Sequence, residues 1–178
     1  MSTRRLILMR HATAARGTGR DFDRPLTDDG RDEARRVGER LRALEQAPTH
    51  VLSSSARRCQ ETWDAVAAGL GAAGPADAAV DRSDALYDAS AGELFESIRD
   101  WRDATEGTLL VLAHNPGISL LALELGRGDE RDALRLRDGF APATVAVFAV
   151  ACPWSGLIPG SIRLLRFERA PRAPEKTE

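Results

Sequence analysis

The sequence predicts an α/β domain: a three-layer α/β/α sandwich with a mostly parallel central sheet and an antiparallel pair at one edge. Short continuous apolar runs at residues 6–9 and 109–113 fit strands buried on both faces. Segments following these runs carry apolar residues at helical spacing. Strand and helix signals alternate along the chain, which joins parallel strands through helical crossovers.

The elements follow in order. Leu6, Ile7, Leu8 and Met9 form the first strand, and a polar, Gly-containing loop runs from Ala14 to about Arg24. Thr27 is placed as a helix N-cap, with Asp28 and Asp29 where the helix dipole favours acids. Ala34, Val37, Leu41 and Leu44 then recur at helical spacing, and residues 50–53 form a second strand. Ser55 is expected to cap the next helix, whose apolar face is Cys59, Trp63, Val66, Ala67 and Leu70. A weak strand is expected at residues 78–80, and Leu94, Ile98 and Trp101 mark a third helix. The strand at 109–113 leads through Asn115-Pro116-Gly117 into a fourth helix with Ile118, Leu121, Ala122 and Leu125, the Pro sitting where its missing N–H costs nothing. Residues 126–142 read as a charged loop. Residues 144–150 and 162–167 read as two late strands that pair antiparallel at a sheet edge. Residues 1–169 are expected to be one domain, and 170–178, polar and Pro-rich, a disordered tail.

Composition narrows the function classes. Of 178 residues, 43% are hydrophobic, enough for a core, and the net charge of −2 argues against a general nucleic-acid or membrane-surface binder. Cys59 and Cys152 stand far apart and form neither a metal-spaced cluster nor a disulfide framework. The first apolar run is too short for a signal peptide or membrane span, so a cytoplasmic protein is expected; a monomer is expected as well.

Ligands of open α/β sheets bind beyond the carboxyl ends of the strands. Four motifs fall at or near such ends. Arg10-His11-Ala12-Thr13 follows the first strand, where the His could be a nucleophile, a metal ligand or a hydrogen-bonded loop residue; the adjacent Arg can fork onto a phosphate. Arg24-Pro25-Leu26-Thr27-Asp28-Asp29-Gly30 sets an Arg just before a helix N-terminus, a place that attracts anions. Arg57 and Arg58 open the second helix and oppose its dipole unless an anion lies near; about 100° apart on the helix, one can face a pocket and the other solvent. His114 follows the strand at 109–113. Taken singly, each motif also has an ordinary structural reading. His50, lying before a strand, is given no role.

Taken in order, these segments resemble the histidine phosphatase superfamily. Leu8-Met9-Arg10-His11 is similar to its Arg-His-Gly signature, and Arg24-Pro25-Leu26-Thr27-x-x-Gly30 to its Arg-x-Leu-Thr-x-x-Gly segment. Ser53 with Arg58-x-x-x-Thr62 is similar to its Ser-x-x-x-Arg-Ala-x-x-Thr segment, and Leu112-Ala113-His114 to its late catalytic-His strand end. The resemblance runs over roughly residues 4–150, and the short length without a long insertion resembles the SixA-type branch. Ala12 stands where the family has Gly, which matters only if that position needs a positive φ. Cys59 stands where Ala is usual.

The resemblance implies a phosphoglycerate mutase-like fold. It also implies a phosphatase in which His11 is the nucleophile and forms a phosphohistidine intermediate. Arg10, Arg24 and Arg58 would clamp the phosphoryl oxygens, and His114 would hydrogen-bond one of them. No metal or other cofactor is implied, because the Arg side chains supply the charge. Asp88 and Glu93 are the candidates for a general acid, although both also read as turn or helix-start acids, and SixA-type members lack a clear acid. The implied partner is a protein bearing phosphohistidine. The alternatives are a phosphomonoesterase on a small phosphate ester of a metabolite or nucleotide, and a non-catalytic module that binds phosphate or phosphoprotein. With few aromatics, no basic run and an acidic balance, no nucleic-acid partner is expected.

Overall fold

The computed structural model describes residues 4–17, 19–75, 79–101, 107–127, 130–137 and 139–170. The expected tail lies, except for Ala170, outside the described residues. Among the described residues seven strands form one sheet: β1 (Arg4–Arg10), β2 (His50–Ser54), β3 (Val80–Ser83), β4 (Thr108–Ala113), β5 (Gly126–Arg127), β6 (Val145–Val150) and β7 (Ile162–Glu168). Their order is β3-β2-β4-β1-β6-β7-β5. The helices are α1 (Asp28–Ala43), α2 (Arg57–Leu70), α3 (Ala91–Arg99), α4 (Gly117–Leu125) and α5 (Glu130–Arg137).

Strand alternation builds two cores, one on each sheet face. Leu6 and Leu8 of β1, with Leu109 and Val111 of β4, pack against Leu94 and Ile98 of α3 and Leu121 and Leu125 of α4. Ile7, Met9, Leu110 and Leu112 face the other way, against Val37 and Leu41 of α1 and Trp63 and Val66 of α2. These side chains are almost fully buried, each stabilising the fold by about 2 kcal/mol. The central strands are apolar on both faces because both faces are covered. Where α1 and α2 cross, Gly38 and Gly69 let the backbones touch: a Cβ at either would overlap the carbonyl of Val66 or Arg35.

Three expectations need correction. Residues 126–142 are not a loop, since they hold β5 and α5; their charged sequence belongs to an outer helix. The two late strands do pair antiparallel, as expected, on the side of the sheet that β5 closes. β6 runs antiparallel to both β1 and β7, and β5 pairs parallel with β7 beyond it. The weak strand begins at Val80, later than expected. Ser55 does not cap α2; its hydroxyl pairs with the Asp84 carboxylate, and Ser54 Oγ accepts from the Ala56 N–H instead. Thr27 does cap α1, accepting from the Gly30 N–H at 3.0 Å. Among the described residues, no helix is long and apolar enough to cross a membrane.

β1, β2 and β4 run parallel, with Arg10 level with Ala113 and Ser53 level with Leu112. Their carboxyl ends therefore open at one sheet edge, where His11, Ser54 and His114 emerge side by side.

Candidate active site

His11 leaves the end of β1 in a tightly held backbone. Its N–H donates to the Ala113 carbonyl at 3.3 Å, and its carbonyl accepts from Ala143 at 3.1 Å. The next N–H, of Ala12, donates to Thr62 Oγ1 at 3.0 Å, and that hydroxyl donates to the Arg58 carbonyl one turn back on α2. The spacing of Arg58 and Thr62 thus ties the Arg to the His loop. Ala12 is fully buried and is not among the residues of positive φ, so Ala serves in place of Gly. Gly30, in contrast, is required: a Cβ there would overlap the Thr13 carbonyl, two residues beyond His11.

The His11 Nδ1 lies 2.8 Å from the Ala12 carbonyl. A carbonyl only accepts, so Nδ1 carries the proton and Nε2 presents its lone pair. Burial, reinforced by Arg58, Arg10 and Arg24, lowers the ring's pKa to about 4. The imidazole is therefore neutral, the form a nucleophile requires.

Arg58 and Arg57 part as the helical rotation predicts: the Arg58 side chain is 5% exposed and Arg57 55%. The partner of Arg58 is Asp21, in a short 3-10 turn (Asp21–Asp23). The Asp21 carbonyl accepts from Arg58 Nη1 at 2.7 Å, and its carboxylate lies 3.0 Å from Nη2. The same carboxylate accepts from Arg24 Nη1 at 2.8 Å and from the Tyr87 hydroxyl at 3.0 Å. Arg24 and the other partners hold its pKa down, at about 2, so Asp21 is an anion. The Tyr87 ring stands edge-on to Phe22 and to His114, with the Arg58 guanidinium carbon 5.6 Å from its centre.

The ring of His114 lies 5.3 Å from that of His11, centre to centre. Its Nε2 meets Ser54 Oγ at 2.9 Å and Cys59 Sγ at 3.6 Å, while its Nδ1 is buried without a protein partner. Burial, with Arg58 and His11, takes its pKa to about 3, so this imidazole too is neutral. Arg10 Nη1 and Asn115 Nδ2 both donate to the Phe140 carbonyl, at 2.8 and 2.9 Å, which aims Arg10 from the far side.

The tertiary structure thus brings Arg10, Arg24 and Arg58 close enough to act on the charge of His11, with His114 beside it. Of the two acids expected, Glu93 is engaged elsewhere: its carboxylate accepts from the Ser90 N–H and hydroxyl in the capping box of α3. Asp88 is exposed, at a turn with φ 53°. The carboxylate among the arginines is Asp21, which no motif spacing marks. Ser54, not Ser53, faces His114; the Ser-x-x-x-Arg spacing counted back from Arg58 falls on Ser54. Tyr87, Asn115 and the Phe140 carbonyl carry no sequence signal either, since tertiary folding alone brings them there. Among the described residues, no group of His, Cys, Asp and Glu is arranged to hold a metal.

This geometry has relatives. The family model of the histidine phosphatase superfamily (branch 1) matches residues 6–107. The chain belongs to the histidine phosphatase superfamily. An uncharacterized protein of Mycobacterium tuberculosis is 37% identical over 89% of this chain and 98% of its own length. Among solved structures of the superfamily fold, SixA of Nakamurella multipartitia superposes with a TM-score of 0.79, at 30% identity over 96% of this chain and 98% of that one. A protein histidine phosphatase SixA bound to tungstate superposes with a TM-score of 0.75, at 21% identity over 93% and 97% of the two chains, sharing the fold.

Proposed function

We propose that the chain is a phosphatase that works through a phosphohistidine at His11, with phosphohistidine on a protein as its substrate. The observation that carries this reading is the tautomer of His11. Its Nδ1 proton is held by the Ala12 carbonyl, its Nε2 lone pair is left free, and the charges of Arg58, Arg10 and Arg24 act on the ring. In the first step Nε2 attacks phosphorus and the bond from phosphorus to the leaving nitrogen breaks. Arg10, Arg24, Arg58 and His114 bind the phosphoryl oxygens as their charge spreads. In the second step water attacks phosphorus, the bond to Nε2 breaks, and phosphate leaves. The guanidinium groups supply the charge that a metal supplies elsewhere, so the reading assigns no cofactor.

The leaving group needs a proton. Asp21 is ionised and Glu93 caps a helix, so neither stands ready as a donor. A phosphoramidate meets this situation, because its own ring nitrogen takes up a proton more readily than an ester oxygen does. The likeness to a putative phosphohistidine phosphatase SixA over nearly the whole of both chains supports the same substrate class.

The test is phosphate release from a phosphohistidine-bearing protein by the wild type and by His11→Ala. Release that the substitution abolishes, with an acid-labile label trapped on the wild type, is the expected result. His11-dependent cleavage of an aryl phosphate alone would move the substrate to small phosphomonoesters. Binding of phosphate with no turnover of either substrate would make the chain a phosphate-binding module and overturn the reading.

A further inference from the structure

Ser54 is fully buried at the end of β2, and its hydroxyl has three neighbours. It accepts from the Ala56 N–H at 3.2 Å, lies 2.9 Å from His114 Nε2, and is within reach of the Cys59 thiol. The other nitrogen of His114, Nδ1, is buried and has no hydrogen-bond partner within the protein. A neutral imidazole carries one proton, so the Ser54 contact decides what Nδ1 can do.

We propose that Ser54 is a positioning residue that fixes His114 in the Nδ1–H tautomer. The inference rests on the phosphatase reading of the site. The Ala56 N–H occupies one lone pair of the hydroxyl and leaves its proton free to donate to Nε2. The proton of the ring is then on Nδ1. A phosphoryl group presents only acceptor oxygens, and an Nδ1 lone pair there would repel them, whereas Nδ1–H stabilises them. The Cys59 thiol, 3.6 Å from Nε2 and with its pKa pushed up to about 12 by burial, stays protonated, so no thiolate stands there to accept a proton from Nε2.

The two histidines are thereby set in opposite senses. The Ala12 carbonyl accepts a proton from His11 and leaves a lone pair; Ser54 gives a proton to His114 and leaves a donor. A backbone carbonyl, which only accepts, and a serine hydroxyl, which here donates, divide one pair of neutral rings into a nucleophile and an oxyanion donor.

Nitrogen-15 NMR of histidine-labelled protein at neutral pH reads the tautomers directly, with His11→Ala and His114→Asn samples assigning the signals. The expected wild-type result is a protonated Nδ1 and a hydrogen-bonded, unprotonated Nε2 for His114. In Ser54→Ala the His114 signal is expected to shift towards the other tautomer, kcat to fall roughly ten- to a hundredfold, and KM to change far less. An Nε2–H tautomer in the wild type, or a Ser54→Ala variant with unaltered His114 shifts, would overturn the proposal. The spectroscopic measurement needs no substrate, so it stands or fails separately from the phosphatase reading.

Discussion

The Asp21 carboxylate lies 3.0 Å from Arg58 Nη2 while the Asp21 carbonyl accepts from Nη1 of the same guanidinium. One residue thus faces both outer nitrogens of a side chain that the proposed reaction directs at phosphoryl oxygens. Its carboxylate also holds Arg24. Asp21 is an internal anion at an anion site, and an entering phosphoryl group competes with it. Asp21→Asn removes the competing charge, so tungstate should bind about tenfold tighter, or ~1.4 kcal/mol, in isothermal titration. Unchanged or weaker binding would show that Asp21 does not compete.

Thr62 carries the Ala12 N–H and so shapes the His11 loop. In Thr62→Val a buried donor loses its acceptor, at a cost of about 1–3 kcal/mol. Urea unfolding should show that loss, and turnover should fall with it because the nucleophile is displaced. A variant of wild-type stability would place the loop under some other control.

Gly30 marks where α1 rests on the backbone of Thr13. Gly30→Ala has no flexible side chain to push aside, only backbone, so a loss of about 1–3 kcal/mol is expected. In a domain of this size that lowers Tm by roughly 2–10 °C, measurable by calorimetry. An unshifted Tm would mean that the helix can slide.

Acid should destabilise the fold through His11 and His114. Burial and nearby arginines lower their pKa to about 4 for His11 and about 3 for His114, against about 6.5 in an unfolded chain. As pH falls below about 6.5 the unfolded state binds protons first, so stability present above that pH drains away down to about 3. The loss is on the order of a few kcal/mol. Urea midpoints at pH 7 and pH 5 should differ accordingly, and His114→Asn should flatten the difference. An equal slope in the variant would locate the acid sensitivity elsewhere.

The alternation of buried runs with amphipathic helices determined the layers, because a strand covered on both faces must be apolar throughout, and local sequence records that. The same holds for the Thr27 cap, for the opposite facings of Arg57 and Arg58, and for the strand-end positions of His11 and His114, all local consequences of strand end or helix phase. Register and distant pairing were not local. A two-residue strand at Gly126 exists only because β7 is there to bond it, and that makes β5 rather than β7 the edge of the sheet. Asp21 reaches Arg58 across 37 residues and Tyr87 across 66, and Ser54 reaches His114 across 60. No spacing encodes such contacts. The residues able to bear the chemistry were legible in the chain itself, whereas the protonation of each ring and the anion that guards the arginines were set by tertiary hydrogen bonds and burial.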